Sequence, residues 1–136
     1  MDINYKSLLE AAATARSHAY APYSRFAVGA AVLTKSKKIF AGSNVENVSL
    51  GLTICAERAA VASAVANGER ELTAVGIIAD ASVPPLPCGA CRQVLAEFNP
   101  EMLIVTSTTA GQIETVKLSD LLPRPRQGIM ESASDV

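Results

Sequence analysis

Hydrophobic positions recur along this chain in two rhythms, one close to the helical repeat and one of short continuous apolar runs. Between Tyr5 and Ala19, the residues Tyr5, Leu8, Leu9, Ala12 and Ala15 fall near helical spacing and predict a first amphipathic helix. Ala21-Pro22-Tyr23-Ser24 breaks it, and Phe26 to Thr34 then reads as a buried strand. The polar turn Lys35-Ser36-Lys37-Lys38 and a second strand from Ile39 to Ser43 complete a hairpin. Asn44 to Ser49 reads as an irregular segment leaving that strand. Cys55 to Asn67, rich in alanine and valine and closed by Gly68, predicts a helix. Leu72 to Ala79 is a β-rich apolar run suited to a central strand. Pro84, Pro85 and Pro87 enforce a loop, after which Cys88 to Phe98 predicts a third helix stopped by Asn99-Pro100. Met102 to Ser107 and Ile113 to Leu118 are two further strands, and Ser119 to Pro123 a short helical turn.

The order α-β-β-α-β-α-β-β implies an α/β fold. A hairpin followed by strand-helix-strand crossovers gives a three-layer α/β/α sandwich, a five-stranded mixed sheet with helices on both faces. Residues 1–123 form one domain in this reading, and the polar tail Arg124–Val136 is expected to be mobile unless a neighbouring subunit holds it. The chain's 136 residues suffice for a real core, and 49% hydrophobic content without tryptophan favours close packing of small side chains.

Charge and leader signals then narrow the function. The net charge is −1 with no basic stripe, which argues against gripping a polynucleotide and for a small-molecule substrate. No apolar run approaches the ~18 residues of a membrane span. The start Met1-Asp2-Ile3-Asn4-Tyr5-Lys6 lacks the pattern of a secretory signal. Free thiols without such a signal suggest the cytoplasm. A mean hydropathy of +0.25 hints at buried subunit interfaces.

The chemistry is concentrated in Thr53-Ile54-Cys55-Ala56-Glu57-Arg58 and Pro87-Cys88-Gly89-Ala90-Cys91-Arg92, which hold all three cysteines. An odd count rules out complete internal disulfide pairing but suits a metal held by three thiolates with one position open, as catalytic zinc sites keep it. Cys88 and Cys91 share a face at the start of one predicted helix, Cys55 opens another, and the positive ends of both helix dipoles favour thiolates. Glu57 points away from Cys55 around its helix and is placed to act as a base rather than a ligand. Three thiolates leave a zinc complex at −1, so an arginine donating to sulfur is expected; Arg58 and Arg92 each follow a ligand motif, with Arg58 preferred. Two other readings stand beside this one. Cys88-Gly89-Ala90-Cys91 could be a redox pair, which leaves Cys55 and Glu57 unexplained. A structural zinc would need a fourth ligand, and the chain's one histidine, His18, lies on the first predicted helix.

Cys55-Ala56-Glu57 with Pro87-Cys88-x-x-Cys91 resembles the zinc nucleoside deaminase signature in its three-cysteine form. Tyr20-Ala21-Pro22-Tyr23-Ser24-x-Phe26-x-Val28-Gly29-Ala30-Ala31, Asn44-Val45-Glu46-Asn47 and Leu121-Leu122-Pro123 are similar to the small homotetrameric cytidine deaminases, so the resemblance spans nearly the whole chain. It implies a zinc ion on Cys55, Cys88 and Cys91 that activates a water. Glu57 takes the proton, hydroxide attacks C4 of cytosine, and Glu57 passes protons to N3 and to the leaving amine, so that uridine and ammonia form. It also implies that Asn44 and Glu46 bind the ribose hydroxyls, that Phe26 packs on the pyrimidine, and that the Ala56 backbone orients the base. A nucleoside substrate and a homotetramer follow from the same likeness, with another amino-heterocycle or modified nucleoside as the alternative substrate. Two departures stand out. Val48-Ser49-Leu50-Gly51 lacks the aromatic common before the first cysteine, and Arg124-Pro125-Arg126 replaces the region that often carries a phenylalanine reaching a neighbour's active site. An end of the pocket that is open, or lined by arginine, and tolerance of cytidines with bulkier groups at N4 are therefore expected.

Overall fold

The computed structural model describes residues 3–130. Five strands form one sheet: β1 (Val28–Thr34), β2 (Ile39–Ser43), β3 (Leu72–Ala79), β4 (Leu103–Thr108) and β5 (Ile113–Lys117), in the spatial order β2-β1-β3-β4-β5. β3 and β4 run parallel, with Ile77 opposite Thr106, and every other neighbouring pair is antiparallel. Helices cover both faces, as the order of elements predicts. On one face lies α1 (Ile3–Arg16), whose Leu8 and Ala12 pack on Ala31, Leu33 and Ala74. On the other lie α2 (Ala56–Ala66) and α3 (Gly89–Phe98), joined by α4 (Leu118–Leu121), over a core that includes Val32, Val75, Ile77, Leu95 and Ile104.

Small residues decide how closely these layers approach. A Cβ added to Gly29 on β1 would stand 1.9 Å from the Ala12 carbonyl oxygen of α1, and one added to Gly42 on β2 would stand 2.6 Å from the Ala60 backbone nitrogen of α2. The two outer layers therefore rest directly on backbone at these points, which explains an alanine- and glycine-rich composition without tryptophan.

Several boundaries differ from the sequence reading, each for a local reason. α1 stops at Arg16 rather than Ala19, because Ser17 and His18 donate to carbonyls three residues back (Thr14, 3.2 Å; Ala15, 3.0 Å) and tighten the last turn. β1 begins at Val28 rather than Phe26, since the Phe26 N–H donates to Ser24 Oγ (3.0 Å) and its carbonyl accepts from the Asn44 side-chain amide, so neither pairs with a strand. The segment after β2 is more ordered than expected. Val45 bridges both Tyr20 and Ile54, and Leu50–Leu52 forms a 3₁₀ turn. Helical structure near the end covers Leu118–Leu121 rather than Ser119–Pro123.

The described part of the tail packs on α3. Gln93 donates to the Pro125 carbonyl (3.3 Å), and Arg126 donates to the Glu97 carbonyl (3.2 Å) and pairs with its carboxylate (3.5 Å). The rest of the tail, 131–136, lies outside the described residues. Among the described residues, no helix is long and apolar enough to cross a membrane.

Candidate metal and active site

The crossovers that enclose the parallel pair β3–β4 bring two helix starts together. Cys55 caps α2 in extended backbone (φ −74°, ψ 154°), and Cys88 caps α3 likewise (φ −66°, ψ 169°). Each cysteine's carbonyl accepts the first helical N–H, from Ala59 at 3.1 Å and from Arg92 at 2.9 Å. Their sulfurs are left at the dipole-positive ends, and Cys91, one turn into α3 and fully buried, joins them. All three Sγ atoms lie within 4.8 Å of one another, and among the described residues no other cluster of histidine, cysteine or acidic side chains could hold a metal. His18 takes no part.

Electrostatics fit a cation at this point. Burial drives the Cys91 thiol far up, and the charges of Glu57, Cys55 and Cys88 add to it. Burial also raises Cys88, but the Cys91 and Ala90 backbone N–H groups and the other two cysteine side chains outweigh it and hold that thiol down. Three adjacent sulfurs thus cannot all ionise unaided, and a divalent cation removes the conflict. The donor set, three soft sulfurs with room for a further ligand, is one that zinc accepts.

Arg58 supplies part of the compensation. Its Nη2 donates to Cys55 Sγ (3.4 Å) and to the Thr53 carbonyl (3.3 Å), and the sulfur holds the guanidinium even more firmly protonated than usual. The parallel expectation for Arg92 is corrected. Its Nε donates to the Pro87 carbonyl (2.8 Å) and its Nη1 to the Leu121 carbonyl (3.3 Å), so it braces backbone rather than touching sulfur. The side chain leaves α3 beside the loop that enters the helix, and those carbonyls are the acceptors it meets.

Beside the sulfurs opens a cleft of about 250 Å³, lined mainly by apolar atoms and including Phe26, Asn44, Glu46, Cys55, Ala56, Glu57 and Cys88. Glu57 is only 6% exposed. Burial raises its carboxyl above the usual range, opposed in part by its own backbone N–H, by Arg58 and by Cys91. Burial thus makes the carboxyl hold its proton more readily than an exposed glutamate does, which favours acid–base work.

Asn44 and Glu46 line the cleft and also build its rim. Asn44 Nδ2 donates to the Phe26 carbonyl (2.8 Å), and its Oδ1 accepts from the Val28 N–H (2.9 Å), so one amide fixes the backbone on both sides of Ala27. Glu46 accepts from the N–H groups of Tyr23 (2.9 Å) and Ser24 (3.1 Å) and from the Ser24 hydroxyl; that hydroxyl, then the two N–H groups, hold its carboxyl below the ordinary range. Asn44 is buried, and Glu46, though partly exposed, is tied to the neighbouring backbone.

Sequence reasoning missed Ser24, Val28, Thr53, Ile77, Pro85 and Leu86, which complete the lining. Thr53, Pro85 and Leu86 adjoin the cysteine motifs, and that adjacency was the available signal. Ile77 had none, since it reads as one more core position in an apolar strand. Arg124 and Arg126 do not line this cleft, so the expectation of an arginine-lined pocket is not met within the chain. The ion pair with Glu97 keeps Arg126 on the outer side of α3.

Comparison with known proteins follows the same lines. A family model described as the cytidine and deoxycytidylate deaminase zinc-binding region matches residues 3–107. The chain is 46% identical over 117 residues to a cytidine deaminase of Halalkalibacterium halodurans, covering 85% of this chain and 89% of that one. Among solved structures, it resembles the cytidine deaminase of Burkholderia pseudomallei with a TM-score of 0.85 at 46% identity, over 91% of this chain and 98% of the other. It also resembles that of Mycobacterium tuberculosis with a TM-score of 0.78 at 41% identity, over 90% and 97%.

Proposed function

Because the chain belongs to the cytidine and deoxycytidylate deaminase family, we propose that it hydrolyses cytidine and deoxycytidine to uridine and deoxyuridine with release of ammonia. The observation that carries this reading is a cluster of three cysteine sulfurs beside a single cleft, which Cys55, Cys88 and the buried Glu57 line. A redox pair would use two of those sulfurs and leave Cys55 and Glu57 without a task.

Cys55, Cys88 and Cys91 hold the zinc, which when bound supplies Lewis-acid activation of water near neutral pH. Glu57 does the proton work. It accepts the proton given up by the attacking water, donates it to N3 of the base, and then carries the second proton to the departing amine at C4. One carboxyl suffices because it is restored at the end of each cycle, and its raised pKa suits both directions of transfer. Arg58 moderates the negative charge of the sulfurs.

The remaining roles belong to the same reading. Phe26 packs on the pyrimidine, and the Ala56 backbone orients it. Asn44 and Glu46 bind the ribose hydroxyls with capacity their rim contacts leave over, since the Asn44 amide keeps a second N–H and a carboxylate offers about four acceptor sites. Tolerance of larger N4 groups is the variant that the missing aromatic cover favours. A homotetramer in the cytoplasm completes the proposal. Val48, Leu50 and Leu52 are exposed at 78%, 69% and 67% on the segment leading to Thr53, which supports burial against another copy. Reduced ligand cysteines suit that compartment.

An ultraviolet deamination assay over cytidine, deoxycytidine, their 5′-monophosphates and an N4-substituted cytidine tests the reading. The two nucleosides should be converted and a chelator should stop the reaction. Glu57→Gln should keep about one zinc per chain while activity falls by roughly 10²- to 10⁴-fold or more. Substantial turnover by that variant would sink the role of Glu57, and inertness of the native protein toward every nucleoside would sink the function.

A further inference from the structure

The loop between β3 and α3 forms one wall of the cleft through Pro85 and Leu86 and leads directly into Cys88. Pro84, Pro85 and Pro87 have no N–H to donate, so this stretch must be anchored largely by its carbonyl oxygens. Two of those oxygens are held by side chains from other parts of the fold. The Thr106 hydroxyl on β4 donates to the Pro85 carbonyl, and Arg92 Nε on α3 donates to the Pro87 carbonyl at 2.8 Å. Arg92 also reaches the Leu121 carbonyl at 3.3 Å, tying the loop to α4.

Thr106 is fully buried on β4, opposite the cleft residue Ile77 in the β3–β4 register, and is itself absent from the cleft lining. Packing alone would be served as well by valine, which has nearly the same shape. A hydroxyl buried there is costly unless it makes a hydrogen bond, and this one donates to the Pro85 backbone carbonyl of the wall. Its position thus has a job that burial does not explain: it fixes a surface of the cleft from behind.

We propose that Thr106 is a positioning residue for the reaction, acting with Arg92 to hold the Pro85-Leu86-Pro87 wall where it fits the base of the bound nucleoside. This rests on the nucleoside reading above. Arg92 holds the end of the wall next to Cys88, while Thr106 holds the Pro85 end, which lines the cleft. Loss of the hydroxyl therefore loosens substrate fit more than it disturbs the metal.

The test compares Thr106→Val, which deletes the hydroxyl at nearly constant volume, with Thr106→Ser, which keeps it. Zinc content, kcat, KM for cytidine and amide hydrogen exchange of the 80–92 segment are measured for both and for the native protein. Thr106→Val should bind about one zinc per chain, exchange faster across this segment, and raise KM by about three- to tenfold, the worth of one hydrogen bond, with kcat changed less than KM. Thr106→Ser should restore both exchange and KM. Unchanged exchange in Thr106→Val overturns the brace. Faster exchange with native KM overturns its link to substrate fit, as does equal damage by the serine variant. If the native protein converts no nucleoside, the functional reading falls on that result, and the exchange comparison alone still decides whether Thr106 holds the wall.

Discussion

Arg58 illustrates how one residue can be read from charge alone. Three thiolates on a divalent ion leave an excess negative charge, a cation beside them lowers that cost, and the guanidinium stands 3.4 Å from Cys55 Sγ. Arg58→Gln keeps some polarity but loses the charge and the fork. Zinc affinity should fall by about 10- to 100-fold, the usual effect of removing a partner behind a metal ligand, as measured by competition with a chelator of known strength. Native affinity in that variant would mean that the sulfurs need no compensation. Arg92 looks equivalent in sequence, one residue past a cysteine, and is not. Its reach ends on two backbone carbonyls, and only the path of the loop before α3 determines that.

Among the elements, α1 and β1 meet with almost no separation at Gly29. A methyl group there would overlap the Ala12 carbonyl and crowd Arg16, whose Cβ and backbone nitrogen are both 2.8 Å from the added atom. Since these obstacles are mostly backbone, the helix must shift as a body. Gly29→Ala should destabilise the protein by about 1–3 kcal/mol or more, in line with overpacking of a tight core, while Gly51→Ala, where nothing lies within 4 Å, should be close to neutral. Thermal melting of the two variants checks this, and equal melting temperatures would refute the close-contact argument. The strand and helix cores were legible because apolar periodicity survives in both layers. Their ends were less so: β1 lost Phe26 because the Asn44 and Ser24 side chains, eighteen and two residues away, claim its backbone instead.

On the scale of the whole molecule, the buried Glu57 carboxyl couples folding to pH. Its folded pKa lies above the ordinary 4.5, because burial disfavours the charged form. In zinc-free protein the folded chain therefore holds this proton more tightly than the unfolded chain does. The resulting stabilisation is complete below the unfolded value and is lost as pH rises through the folded one. Glu57→Gln cannot ionise, so its melting temperature after chelation should exceed that of the native chain by a margin that grows with pH above about 4.5. A constant margin across that range would mean that Glu57 does not titrate differently in the two states.

The order of elements, the mixed sheet and the three cysteines that cluster as a possible metal site were all readable from the chain by itself. Each is written in short-range pattern: continuous apolar runs and helical spacing for the layers, motif spacing and helix-start position for Cys55, Cys88 and Cys91. Tertiary structure alone decided what long-range contacts decide. It placed Ile77 in the cleft through strand register, turned Arg92 to the Pro87 carbonyl, folded Arg126 against Glu97, and set the Thr106 hydroxyl behind Pro85. The physical reason is that a local sequence specifies which way a backbone runs and which face is apolar. The partner of a hydrogen-bonding group, by contrast, is whichever complementary atom the assembled fold brings within about 3 Å.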